Sequence, residues 1–280
     1  MLKLRIITAL VLLAVFLPAF FASSAEPLAW LTLVLIAAGA WEWGRLMGLS
    51  TLRSFGLGFL CVVLCLGSWK LFELPLHTTP NVWAGAGALW VLIGAWMLRG
   101  GIAAWSSVHI ATKLIGGTLA LWLCWLAIFQ AKRVGINYML SIFVLVWIAD
   151  IAAYFAGRAF GRRKLAPSLS PGKSWEGVWG GICAVWILAF SWVWADQMAI
   201  FDSPSIYSLL YAHGWVYFLV SVSFLTAMSV VGDLVESMVK RTAGVKDSSQ
   251  LLPGHGGVLD RVDALLPTLP LAMMLSQSVL

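Results

Sequence analysis

Charge is what this sequence has least of. Asp, Glu, Lys and Arg make up only 11% of 280 residues, where a soluble domain carries about a quarter. So few charges cannot solvate the surface of a water-soluble fold. With 61% hydrophobic residues and a mean hydropathy of +0.92, the chain is a polytopic membrane protein. Cysteine is also scarce: Cys61, Cys65, Cys124 and Cys183 all fall in apolar runs. None forms a CxxC pair or sits with histidines at metal spacing, which excludes a zinc framework and leaves them as small hydrophobes. Repeats, low-complexity segments and linkers are missing too. The chain therefore reads as one membrane-embedded domain, 1–280, with N-terminal spans in 1–140 and its chemistry in 141–280. The net charge of +6 is no nucleic-acid signal here, because basic residues of such a protein record topology and contact with anionic lipid heads.

What is there in abundance is apolar length. Runs long enough to span a bilayer, about 17–25 residues, occur near 4–22, 28–47, 55–72, 82–98, 114–131, 138–157, 178–195, 214–233 and 262–280. They predict an all-α bundle of about nine transmembrane helices. Residues 1–25 share the pattern of a signal peptide, with Lys3 and Arg5 before an apolar core; a retained first helix is expected. With the N-terminus cytoplasmic, only Lys70, Lys132 and Arg133 of the 18 basic residues fall outside, leaving 15 inside. That bias fixes the orientation and puts the two most polar loops, 158–177 and 234–261, on one cytoplasmic face. The expected location is an inner (plasma) membrane.

Those loops hold the expensive groups. Ser237–Asp263 packs Lys240, Arg241, Lys246, Asp247, His255, Asp260, Arg261 and Asp263 into 27 residues, and ionisable groups at a membrane edge mark function by default. Just upstream, Asp233, Glu236, Ser237 and Lys240 recur at i, i+3, i+4 and i+7, one face of a continuing helix. A carboxylate there needs either a basic partner or a hard cation such as Mg²⁺, which takes one or two carboxylates and leaves room for substrate phosphate. Pro253-Gly254-His255-Gly256-Gly257 makes a turn whose backbone can approach an anion closely. His255 within it either contacts ligand or decorates the loop. Asp260 and Asp263 share a face at a helix start, suited to completing a metal site with Asp233 or to meeting the helix dipole.

A second constellation runs from Asp150 to Gly177. Asp150 and Tyr154 are i, i+4 inside the sixth run, and an acid buried there must be neutralised, paired or used. Five cations follow between Arg158 and Lys173, either as a lipid anchor or as part of a phosphate grip. The segment Ser170-Pro171-Gly172-Lys173-Ser174-Trp175-Glu176-Gly177 favours the grip, read as a Pro-Gly turn that aims a lysine and hydroxyls. It is not a Walker A loop, since Pro167 stands where the first glycine belongs. Glu42 and Arg45, on one turn of the second run, are expected to form a local ion pair. The 17 tryptophans suit interface belts and bundle packing.

Assembled, these residues resemble the phosphatidate cytidylyltransferase (CDP-diacylglycerol synthase) family. The pattern S-x-x-K-R-x4-K-D-x-S-x2-L-P-x-H-G-G-V-x-D-R-V-D runs unbroken from Ser237 to Asp263, and D-x-x-A-Y, SPGKSWEG and GDLVES fit as well. The first 140 residues match in hydrophobicity alone. The resemblance implies transfer of a cytidylyl group from CTP to phosphatidate with Mg²⁺, a second cation such as K⁺ and a homodimer being compatible. It implies Asp233 and Asp260 as metal ligands, joined on the residue reading by Asp263. Lys240, Arg241, Lys246, Asp247, His255 and Arg261 are the remaining candidates for catalysis. Ser170, Lys173, Ser174, Glu176, Ser237, Gly256, Gly257, Asp150 and Tyr154 are the candidates for substrate binding. Two competing readings stand beside it. A CTP-dependent lipid kinase would use Asp150 or Asp247 as base. A transporter of an anionic metabolite would need charges near the midplane of paired repeats, whereas here they gather at one face.

Overall fold

The computed structural model describes residues 2–72 and 80–277. In chain order the helices are α1 (Leu2–Phe21), α2 (Glu26–Leu46), α3 (Thr51–Phe72), α4 (Pro80–Ser107), α5 (Ile110–Val134) and α6 (Ile136–Phe160). A small hairpin follows, β1 (Lys164–Ala166) and β2 (Ser170–Ser174), then α7 (Trp175–Asp196), α8 (Ile206–Tyr211), α9 (Trp215–Thr242), α10 (Leu259–Val262) and α11 (Leu265–Ser276). The expected all-α bundle is present. Among the described residues, seven helices, α2 to α7 and α9, are long and apolar enough to cross a membrane. The first and last apolar runs form α1, of 20 residues, and α11, of 12. Asp263 and Ala264 separate α11 from α10.

Without water between spans, lipid competes equally for apolar side chains, and helices associate through close packing. The pairing of α6 with α7 shows how. A Cβ on Gly177 or Gly181 would collide with the backbone oxygens of Ala153 and Ala149, and one on Gly180 would strike Ala156. Small residues on both faces thus let the helices touch. Because α6 ends and α7 begins at the same level, the hairpin joining them is held over that end of the bundle. Its tip is docked by Leu169, which is buried with Met97, Trp105, Val235, Met238 and Val239. Arg241 Nε also donates to the Leu169 carbonyl at 3.4 Å.

The far end is tied separately. Asp202 accepts from the backbone N–H groups of Ile136 and Asn137 at the start of α6, at 2.6 and 3.0 Å. Ser276, near the end of α11, lies 2.6 Å from the Tyr138 hydroxyl. α11 therefore runs from the hairpin end of the bundle to the opposite one. Between the ends the core is aromatic and closed around Trp83, Trp125, Tyr138, Tyr207 and Phe218. Cys61, Cys65 and Cys124 are buried free thiols within the bundle, and Cys183 is exposed on it.

Candidate active site

The charged residues of both polar loops meet at the end of α9. That helix carries Asp233, Glu236, Ser237 and Lys240 on one face, as the spacing predicts. Lys240 lies between two acids, 2.5 Å from Glu236 Oε2 and 2.6 Å from Asp260 Oδ1. Lys173, on β2, reaches Asp233 Oδ2 at 2.6 Å, and Ser237 Oγ donates to Asp233 Oδ1 at 3.2 Å. The two loops thus share one site, joined directly by Lys173 and Asp233.

Asp260 opens α10 and is the best-held acid of the group. Besides Lys240, it accepts at Oδ2 from the Ser248 N–H and hydroxyl, both at 2.9 Å, and from the Gly257 N–H at 2.8 Å. Burial alone would raise its pKa, but the Lys240 ammonium and the two backbone N–H groups outweigh it and hold the carboxyl below its usual range. Asp263 behaves oppositely. It is pushed up by burial and by the charge of Asp233, which outweigh the Ala264 N–H, accepted at 2.8 Å, and the more distant charges of Lys240 and Lys173. Gly232 brings Asp263 close, since any side chain there would collide with the Asp263 carbonyl and Pro267.

The turn 252–256 is closed by the Leu252 N–H donating to the Gly256 carbonyl at 2.9 Å and the His255 N–H to Leu252 at 2.8 Å. Gly256 takes φ +80 beneath Asp260, where a side chain would be strained and would press on its carboxylate. His255 Nδ1 is buried without a hydrogen-bond partner among the described residues. Helix α1 lies against this turn, Thr8 Oγ1 donating to the Pro253 carbonyl at 3.0 Å.

Several expected residues sit elsewhere or do other work. Ser170–Ser174 is a strand paired antiparallel with β1, not a free turn, so Lys173 is presented by a hairpin rather than projected from its tip. Ser174 caps α7, accepting from the Gly177 N–H at 3.2 Å. Glu176 accepts from the backbone N–H groups of Arg162 and Arg163 and secures the entry to β1. Ser170 lies at the start of β2, partly buried. Asp150 is exposed rather than buried, facing the charges of Lys173 and Asp233. Tyr154 is 61% exposed and accepts from Arg158 at 3.5 Å, outside the cluster. Lys246, Asp247 and Arg261 are exposed at its rim.

The expected Glu42–Arg45 pair does not form. Arg45 donates instead to Thr51 Oγ1 at 2.8 Å. Glu42 is fully buried and turned away from it, accepting from Ser248 and Ser249 and from the N–H groups of Val258 and Leu259. The sequence reading missed this residue, and nothing nearby in sequence could have revealed partners more than 200 positions away. Glu236 was legible in the helical spacing but was not counted as a site residue.

Five carboxylates (Asp150, Asp233, Glu236, Asp260, Asp263) thus gather around two ammonium groups, Lys173 and Lys240. Oxygen donors with surplus negative charge suit a hard divalent cation. Among the described residues, however, no three His, Cys, Asp or Glu side chains converge closely enough to form a ligand set. Lysines stand beside Asp233 and Asp260 instead. Beside α9, an apolar cavity of about 310 Å³ is lined by Trp43, Trp90, Trp105, Val235 and Leu259 and reaches Glu236.

Comparison with known proteins accords with this architecture. The model of the Cytidylyltransferase family matches residues 3–279. A phosphatidate cytidylyltransferase from Pseudomonas aeruginosa is 38% identical over 282 residues, covering 96% of this chain and 95% of the relative. One from Haemophilus influenzae is 51% identical over 136 residues, 49% of this chain and 44% of the relative. One from Bacillus subtilis is 40% identical over 136 residues, 49% and 46% respectively. With the family matched from residue 3 to residue 279, and its charged signature gathered in one place, the chain belongs to the cytidylyltransferase family.

Proposed function

We propose that this protein transfers the cytidylyl group of CTP to phosphatidate, giving CDP-diacylglycerol and pyrophosphate. The observation that carries the reading is the paired arrangement of Lys173–Asp233 and Lys240–Asp260 at one end of an apolar bundle. A phosphate oxygen of the lipid attacks the α-phosphorus of CTP, and the bond to pyrophosphate breaks. Both reactants are anions, so the demand is to neutralise charge and to align attack with departure. Lys173 and Lys240 supply point charges that need only exchange a carboxylate for a phosphate oxygen. The phosphate monoester is already ionised near neutrality, so no strong base is required. The apolar cavity beside α9 supports a lipid acceptor.

Asp233, Asp260 and Asp263 are the carboxylates that would hold Mg²⁺, which when bound would screen the triphosphate and stabilise the leaving pyrophosphate. We further propose nine crossings, counting α1 and α11, with the N-terminus and both loops in the cytoplasm of a bacterial inner membrane. The ion pair between the loops and the contact of α1 with the 252–256 turn support one shared face, as does the distribution of basic residues.

The deciding assay uses the purified chain in detergent with phosphatidate and CTP labelled at the base and at the γ-phosphate. Cytidylate should enter the lipid fraction while label from the γ-position leaves as pyrophosphate. In a parallel reaction with a polyprenol in place of phosphatidate, transfer of the γ-phosphate to the alcohol with release of CDP would establish the kinase instead.

A further inference from the structure

Glu42 lies on α2, far in sequence from every residue of the signature, yet it holds both ends of the signature loop. Its Oε1 accepts from Ser249 Oγ at 2.5 Å and from the Val258 N–H at 2.9 Å. Its Oε2 accepts from Ser248 Oγ at 3.1 Å and from the Leu259 N–H at 2.8 Å. The side chain is 0% exposed. A carboxylate taken wholly out of water is costly unless its oxygens are satisfied, and here four donors lie within reach, three of its own and the Ser248 hydroxyl shared with Asp260. All four come from the loop that ends in Asp260.

Three consecutive N–H groups divide between two acids: Gly257 donates to Asp260, and Val258 and Leu259 donate to Glu42. The next residue along is Asp260 itself. Ser248 links the two carboxylates, its hydroxyl lying within reach of Glu42 Oε2 and of Asp260 Oδ2. That hydroxyl has one proton and can serve only one acid at a time. The backbone at Gly257 is pressed against Glu42 so closely that a Cβ would collide with Oε1 and with Ser248 Oγ. The direction in which Asp260 points is therefore set by what Glu42 holds.

We propose that Glu42 is a positioning residue for cytidylyl transfer, a buried acceptor that clamps residues 248–249 to 258–259 and so aims Asp260 and the Gly257 N–H. The inference rests on the reaction proposed above, and its test is chosen to separate the two. Glu42→Gln preserves shape, but its amide nitrogen must face the N–H of Val258 or of Leu259, donor against donor, whichever way it turns. Glu42→Asp keeps the charge on a shorter arm.

The experiment follows the full chain in detergent by initial rates with CTP and phosphatidate and by amide hydrogen exchange. Glu42→Gln should lower kcat about 100-fold, the scale of a misplacement near 1 Å, with KM for CTP far less changed. Exchange should quicken at residues 248–260 while α6 and α7 keep wild-type protection, and Glu42→Asp should recover part of the rate. If Glu42→Gln does not fold, Ser249→Ala removes a single donor and should show the same pattern at about tenfold, the scale of one charged hydrogen bond. Wild-type turnover in the variant tested overturns the proposal. So does lost turnover with unchanged exchange at 248–260, or exchange raised evenly over the whole bundle, which is a purely stabilising role. A wild-type chain that transfers no cytidylate would count against the reaction instead, while the exchange readout would still decide whether Glu42 anchors the loop.

Discussion

Replacing Asp260 by Asn perturbs the site most sharply, because the change removes charge and keeps shape. The wild-type carboxylate has four donors within reach: three at Oδ2, one of them the Ser248 hydroxyl it shares with Glu42, and Lys240 at Oδ1. An asparagine must keep its oxygen toward the three donors, so its amide nitrogen faces the Lys240 ammonium. The loss is one charge-assisted hydrogen bond, about 1.5–3 kcal/mol of stability. The lower part of that range is expected, since Lys240 keeps Glu236 at 2.5 Å. Turnover should suffer far more. Removing a group that organises transition-state charge costs about 10²–10³ in rate, and a ligand to the proposed Mg²⁺ belongs at the upper end. The assay is initial rate against Mg²⁺ concentration, with thermal unfolding in the same detergent. Lys240→Met should also destabilise, by about 3–5 kcal/mol for a buried pair broken from one side. In the double variant the two stability losses should add to less than their sum, since the second change removes a partner already lost. Near-wild-type turnover of Asp260→Asn at saturating Mg²⁺, or fully additive losses of stability, would refute the reasoning.

Lys173→Ala should lower kcat/KM about ten- to hundredfold by deleting one charged hydrogen bond, and Lys173→Arg should recover only part, since a planar fork does not replace a compact ammonium. Steady-state kinetics in neutral detergent check this, and unaltered kinetics would reduce the hairpin to an anchor on anionic lipid. Topology is checked by single cysteines in a variant lacking Cys61, Cys65, Cys124 and Cys183. Reporters at Ser168 and Lys246, both exposed, should react with impermeant reagent only from the cytoplasmic side, and one at Ile200, 73% exposed, only from outside. Ser248 is too well buried to serve as a reporter. Opposite reactivity of Ser168 and Lys246 would contradict a site built from both loops.

The site was legible in sequence to the extent that local spacing constrains it. A helix of 3.6 residues per turn puts Asp233, Glu236, Ser237 and Lys240 on one face whatever surrounds it, and α9 does so. The hairpin was misread because Pro171-Gly172 reads locally as a turn. Tertiary docking of Leu169 in an apolar pocket moved the bend to residues 167–169 and left Ser170–Ser174 extended. Asp150 was expected to be buried because its neighbours in sequence are apolar. What meets a side chain is decided by tertiary packing, and the fold brings the charges of Lys173 and Asp233 to Asp150.

What the sequence alone determined was the medium and the chemistry. Apolar runs of membrane length dictate helices, because each backbone N–H and C=O in lipid must be satisfied within its own segment. A dense set of acids, lysines and glycines at the edge of those runs marks where the chemistry lies and suits a metal and the phosphates it neutralises. What only the tertiary structure decided was pairing. Whether Lys240 would serve Glu236, Asp260 or both depended on where α10 came to rest. Glu42 found its partners 206 to 217 residues away rather than three. A charge in a low-dielectric interior takes whichever donors the packed helices bring within about 3 Å. That choice is made by the close approach of helices, which no stretch of sequence contains.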